Sequence, residues 1–203
     1  MPKIHEWSPF DFVAGELCLE FTNTVGDHTK ARVVEWLVDW DSVLEWAASA
    51  GVVSAAEAHE LRRIGRRDLA AARRCHHSLL KFRDVLFRVL STLAAGRVPV
   101  RDDLERIEGV VLSSLRAAHL TQQDGAFFWA VRPSETSMST PQARIALSTL
   151  RLLQGDALAQ LRECQRCSWL FLDRSRNHGR RWCRADACGN RARVARYYGA
   201  RTP

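Results

Sequence analysis

Four cysteines stand within 25 residues, as Cys164-Gln165-Arg166-Cys167 followed by Cys183 and Cys188, in the spacing C-x2-C-x15-C-x4-C. Tetrahedral Zn²⁺ takes four soft or borderline donors at about 2.0–2.3 Å. A C-x-x-C turn offers two of them on one side of an ion, and a separated pair closes the other side. The spacing predicts one structural Zn²⁺ held by all four cysteines, with no open position for water or substrate. Three other uses fit less well. Redox C-x-x-C pairs sit near a βαβ pattern, and none is evident. Ordinary buried thiols do not cluster in this way, and His178 is poorly spaced from Cys183 to replace a cysteine as ligand. Cys18 and Cys75, alone in helical contexts, are expected to be small core side chains.

The same stretch holds the charge. Residues 161–203 contain eleven arginines against Glu163, Asp173 and Asp186, a net +8, while the other 160 residues come to −1. Four thiolates and one Zn²⁺ would leave this tail at +6. Planar guanidinium groups give phosphate two parallel hydrogen bonds, so the tail is a candidate nucleic-acid surface. Asn190 is expected to cap a helix through Tyr198, with Val194, Tyr197 and Tyr198 packed on the zinc module. Arg193 and Arg196 then share an exposed face, and Arg191, Arg180 and Arg181 lie close by. A solvated basic face or a protein-binding surface is the competing reading. Arginine outnumbers lysine throughout, but that bias does not explain the shortage of acids in the tail. DNA and RNA are not separated by these residues.

Toward the other end, Glu20, Asn23 and Thr24 form a polar cluster on an otherwise apolar helix. They are candidates for a small-ligand pocket or a dimer contact. The plainer alternative is that Asn23 and Thr24 end the helix and bond nearby backbone. Trp36, Trp40 and Trp46 could line an aromatic pocket, but core packing is the default for apolar side chains spaced along helices. No Gly-rich phosphate loop, G-x-S-x-G elbow or H-E-x-x-H helix occurs, so no enzyme activity is expected.

The elements that must position these residues are mostly helical. Val13, Leu17, Phe21 and Val25, four apart, predict a helix over 12–25. Asp39 or Asp41 is placed to cap a helix that stops at Gly51, and Ser54-x-x-Glu57 has the form of a capping box for a helix ending near Gly65. The longest helix is predicted over 68–95 with Gly96 as its stop, and another over 101–117. The period then changes. Ala118–Thr121 and Ala126–Val131 flank Asp124-Gly125 and predict a β-hairpin. Pro141 opens a last body helix. Beyond it, 168–173 reads as a strand and 174–180 as a loop before a returning strand.

A chain of 203 residues with 46% hydrophobic side chains excludes a wholly disordered or fibrous protein. No apolar run reaches the ~18–20 residues that span a bilayer, so no membrane partner is expected. Met1–Glu6 has no hydrophobic signal core, and a cytoplasmic location is expected.

Trp182-Cys183 followed by Cys188-Gly189-Asn190-Arg191 resembles the signature of the CGNR zinc-finger family. Cys164-x-x-Cys167 with Leu170-Phe171-Leu172-Asp173 resembles that family's C-x-x-C-x-x-x-F-x-D run. Gly15-Glu16-Leu17-Cys18-Leu19-Glu20-Phe21-Thr22-Asn23-Thr24 resembles the opening motif of the ABATE domain that precedes this finger. The resemblance implies a stress-induced bacterial transcription regulator whose finger binds DNA. This chain has Glu20 where the family usually has Asp, and Arg193 where it usually has Lys. The expected fold is mainly α with a small β-hairpin (α+β) over residues 1–160, then a zinc-ribbon or treble-clef-like module over 161–203. DNA, a small-molecule effector and a second copy in a homodimer are the expected partners. A zinc-stabilised RNA-binding or protein-interaction module is the alternative.

Overall fold

Side chains that take up free backbone donors set where several of the helices begin. The computed structural model describes residues 5–26, 34–133 and 136–199. Among these, α1 spans Leu17–Thr22, α2 Trp40–Ser49, α3 Ala55–Arg67, α4 Leu69–Ala94, α5 Arg101–Leu115, α6 Thr140–Gln154 and α7 Asn190–Gly199. Asp39, not Asp41, caps α2: its carboxylate accepts the Ser42 N–H at 2.8 Å, and Ser42 Oγ accepts the Asp39 N–H at 2.9 Å. Ser54 and Glu57 close the expected capping box on α3, at 2.8 and 3.2 Å. Gly51 and Gly96 lie just past α2 and α4 with φ of +70° and +68°, the left-handed turn that ends a helix.

Two small antiparallel hairpins complete the architecture. In the first, β1 (Ala118–Gln123) pairs with β2 (Ala126–Val131) through Asp124 and Gly125, both at positive φ as a two-residue hairpin turn requires. In the second, β3 (Leu161–Glu163) pairs with β4 (Leu170–Leu172). The long α4 is the central beam and buries Leu79, Phe82, Leu86 and Leu90. Around it gather Phe21 of α1, Trp46 of α2, Leu61 of α3 and Ile145 of α6. The same apolar cluster continues without a break into Leu161, Leu170 and Phe171. Thus the hydrophobic core crosses position 160/161. Trp40 and Trp46 are core side chains, whereas Trp36 meets Trp169 edge-on at 5.8 Å. No helix among the described residues is long and apolar enough to cross a membrane.

Two sequence expectations are corrected. The helix expected over 12–25 is only the six residues of α1. Gly15 has φ +80°, and the Glu20 carboxylate captures the N–H groups of Val13, Ala14 and Gly15 at 3.2, 2.7 and 3.1 Å, so residues 13–15 form a turn around it. The strand expected after the 174–180 loop does not occur among the described residues. The partner of β4 is β3, which lies before the first cysteine pair.

Glu57 serves two ends at once, closing its helix cap and accepting Arg144 at 2.9 and 2.6 Å. The Arg144 guanidinium holds its carboxyl down at about 2, against an ordinary value of 4.5. Because the folded value is the lower one, the stabilisation is present above about 4.5 and is lost as pH falls through about 2. Glu57→Gln is expected to cost about 1–2 kcal/mol at neutral pH. That gap to the wild type should nearly close near pH 2. Urea melts at the two pH values check it, and an equal gap at both would refute the assignment.

Candidate metal centre

The first two cysteines sit in the turn between β3 and β4. Cys164 N–H donates to the Trp169 carbonyl at 2.8 Å, and Ser168 N–H returns to the Cys164 carbonyl at 3.0 Å. Ser168 takes a left-handed φ of 59°, which folds the turn tightly enough to aim both thiols the same way. A loop held by Asp173 follows. This fully buried carboxylate accepts Ser175 N–H and Oγ–H at 3.0 and 2.6 Å and Arg180 N–H at 2.8 Å. The chain then delivers Cys183, makes one wide turn over Ala185–Gly189 that contains Cys188, and runs straight into α7. Gln165 N–H on the Arg181 carbonyl, 3.1 Å, ties the two halves together.

All four cysteines are buried free thiols, and they form a tight cluster. Cys167–Cys183 and Cys183–Cys188 sulfurs lie 3.7 Å apart, and Cys188–Cys167 sulfurs 3.6 Å. Four sulfurs about 2.3 Å from one Zn²⁺ at tetrahedral angles would lie about 3.8 Å apart, so the donor set fits the ion. His178 is turned away, its Nδ1–H donating to the Asp173 carbonyl at 2.9 Å. The cluster fits one structural Zn²⁺ with four thiolates. A turn between two strands, followed by two ligands at the start of a helix, is the treble-clef-like arrangement. Gly189 packs closely here: a Cβ at this position would lie 3.0 Å from the Trp182 ring, which would have to give by a few tenths of an ångström.

The centre is bound to the body by long-range hydrogen bonds. Asn23 Nδ2 donates to the Leu170 carbonyl and its Oδ1 accepts the Leu170 N–H, both at 2.9 Å, so the side chain acts as a third strand against β4. Leu172 N–H donates to the Ala14 carbonyl at 2.8 Å, and Trp169 Nε1–H to the Val25 carbonyl at 2.9 Å. Ser91 Oγ–H on α4 donates to Glu163 at 2.5 Å. Of the three polar residues grouped on the helix expected over 12–25, Asn23 serves β4 and Glu20 holds the 13–15 turn. Thr24 is buried, donating to the Phe21 carbonyl at 2.8 Å and accepting from Arg83 at 3.2 Å. Glu20 borders an open cavity, whereas Asn23 and Thr24 are buried.

The arginines divide into two groups. Arg180 donates to the Cys183 carbonyl at 2.5 Å and lies over the Phe171 ring, and Arg181 donates to Gln165 at 2.8 Å. Arg191 reaches the Cys188 sulfur, its guanidinium donating at 3.4 Å. Arg193 and Arg196 stand exposed on α7. Asn190 is already helical, at φ −65° and ψ −47°, because the wide turn feeds directly into α7. It therefore lacks the extended backbone of a capping residue, a second correction to the finger. The third is the expected packing of Val194, Tyr197 and Tyr198 on the zinc module. They are 46%, 54% and 65% exposed, since α7 projects beyond the wide turn that anchors it.

The Asp173 loop, Trp169, Arg174 and Arg184 carry much of the attachment, and residue spacing alone did not single them out. Arg174 and Arg184 donate to the carbonyls of Gly15 and Phe10, partners about 160 and 170 residues away that no local pattern encodes. Cys18 is fully buried, and burial pushes its thiol up to about 12, as suits a core side chain.

Family models match nearly the whole chain. The ABATE model, described as "Putative stress-induced transcription regulator", covers residues 15–156, and the CGNR zinc finger model covers residues 160–201. No curated protein matches the chain. Neither family description is of an enzyme. Two independently matched segments meet where β3 begins, and the second contains all four clustered cysteines. The chain is a member of the ABATE family that carries a CGNR zinc finger.

Proposed function

We propose that this chain is a cytoplasmic transcription regulator that binds DNA through its zinc finger, while the N-terminal domain senses a small molecule or dimerises. The observation that supports this reading best is the state of α7. Arg191, Arg193, Val194, Arg196, Tyr197 and Tyr198 are all exposed, and the helix carries no acidic residue. A ten-residue helix with so little packing is marginal in water, so a partner that covers it adds stability. Its width of about 10–12 Å suits the ~12 Å major groove of duplex DNA. Arg193 and Arg196 then supply phosphate contacts, with Arg180, Arg181, Asn190 and Arg191 at the base of the helix.

Affinity for duplex DNA, measured at two salt concentrations, tests the reading. Arg193→Ala combined with Arg196→Ala is expected to weaken binding about 10–100-fold and to reduce the log–log salt slope by about 2. Unchanged binding would remove both arginines from the interface. A second reading rests on Tyr197 and Tyr198, whose exposed rings suit base stacking, so single-stranded RNA belongs beside duplex DNA in the assay. RNA bound more tightly than duplex would replace the DNA reading. Binding of neither would favour a protein partner.

A further inference from the structure

The segment from Trp7 to Leu17 has two working sides. On one, its backbone carbonyls hold the finger: Phe10 accepts from Arg184 at 3.2 Å, Ala14 from the Leu172 N–H at 2.8 Å and Gly15 from Arg174 at 2.9 Å. On the other, Trp7, Phe12 and Glu16 wall a cavity of about 610 Å³, which Ser49 of α2 and Arg151 of α6 border and which Glu20 also lines. That volume suits a small molecule. One layer of main chain separates the cavity from the finger.

The lining specifies the kind of occupant. Arg151 is already paired with Glu16, which also accepts the Ser148 hydroxyl at 2.9 Å. Glu20 accepts three backbone N–H groups, and no ion pair joins it to a described cation. Beside this carboxyl, which has no ion-pair partner among the described residues, stand two aromatic rings, Trp7 and Phe12, with centroids 5.9 Å apart. Aromatic faces next to a carboxylate recognise an organic cation by its charge and its flat apolar body together. Burial pushes the Glu20 carboxyl up to about 7, against the pull of the three N–H donors. A cation in the cavity would supply the countercharge it lacks.

We propose that this cavity is an effector site for a small protonated amine on a flat apolar body, and that its occupancy reaches the zinc finger through the Trp7–Leu17 segment. The second half rests on the reading of the finger as the output of the molecule; the first half does not.

Benzylamine is the probe, with benzyl alcohol and benzoate as its uncharged and anionic counterparts, titrated into the full-length zinc-loaded protein and followed by tryptophan fluorescence and calorimetry. Saturable benzylamine binding is expected below about 10 mM, the range open to an eight-atom ligand. Benzyl alcohol should bind at least about tenfold more weakly, and benzoate not at all. Glu20→Gln should lower benzylamine affinity about tenfold. Should that variant fail to fold by circular dichroism, Ser49→Trp, at an exposed position on the rim, is expected to block binding without touching the core. No saturable binding, equal affinity for benzyl alcohol, or full affinity in Ser49→Trp would each overturn the site.

Coupling is read from the rate at which a colorimetric chelator takes zinc from the finger. Saturating benzylamine is expected to change that rate at least about threefold, a coupling of modest size, and benzyl alcohol at the same concentration should not. An unchanged rate in protein that binds benzylamine would overturn the transmission and leave the site. Neither readout involves nucleic acid, so a failure of DNA binding would show separately.

Discussion

Removing zinc is expected to loosen far more of this molecule than the finger. A module of about 40 residues lacks the buried surface to fold alone, so the metal supplies its stability. Here the body depends on it as well. Leu170 and Leu172 of β4 meet Asn23 and Ala14, and Trp169 holds the Val25 carbonyl. Without Zn²⁺ the four sulfurs, with Cys167, Cys183 and Cys188 3.6–3.7 Å from one another, have nothing to hold them together, and β4 loses its frame. Chelation should lower Tm on the order of 10 °C or more. It should also flatten the near-ultraviolet dichroism from the Trp36–Trp169 contact and open both 160–199 and 8–26 to protease. A chelated protein with unchanged Tm and a protected tail would refute the structural role of the metal.

Asn23→Ala is the second large effect. The side chain is 2% exposed and satisfies both main-chain groups of Leu170. Truncation leaves a buried N–H and a buried C=O without partners, each worth about 1–3 kcal/mol, so a loss of about 3–4 kcal/mol is expected. For a domain of this size that is a Tm fall of roughly 6–15 °C. Asn23→Asp keeps an acceptor for the Leu170 N–H but turns a carboxylate oxygen toward the Leu170 carbonyl, so it should rescue little. Zinc affinity, measured by competition with a chelator, should fall in both variants because the hairpin loses its dock. A variant as stable as wild type would show that the bond pair carries no load.

Local signals in the sequence were read correctly where the physics is local. Capping by Asp39 and Ser54, the turn at Asp124-Gly125 and the stop at Gly96 each depend on a few neighbouring residues. The thiol cluster was legible for a related reason, since donor type and spacing constrain a tetrahedral site. The region 12–25 misled because Val13, Leu17, Phe21 and Val25 satisfy a helical period, yet their burial is achieved by a short helix between two turns. Its backbone is spent on partners from the far end of the chain. Asn23 does end α1, its N–H on the Leu19 carbonyl, but its side chain bonds backbone 147 residues away instead of nearby. The apolar face of α7 misled differently. Periodicity marks which side chains share a face, not whether anything packs against it.

The attachment of the N-terminal motif to β4 bears on how the cell disposes of unfinished copies. During synthesis, residues 13–25 are made long before residues 169–174, which satisfy them. Until β4 is made and its hairpin closes on metal, Asn23 and the Ala14 carbonyl have only water as partners, and Trp36 has no Trp169 to meet. A copy cut short, or starved of zinc, therefore exposes its opening motif as well as its tail. Such a copy offers quality-control proteases two entry points instead of one.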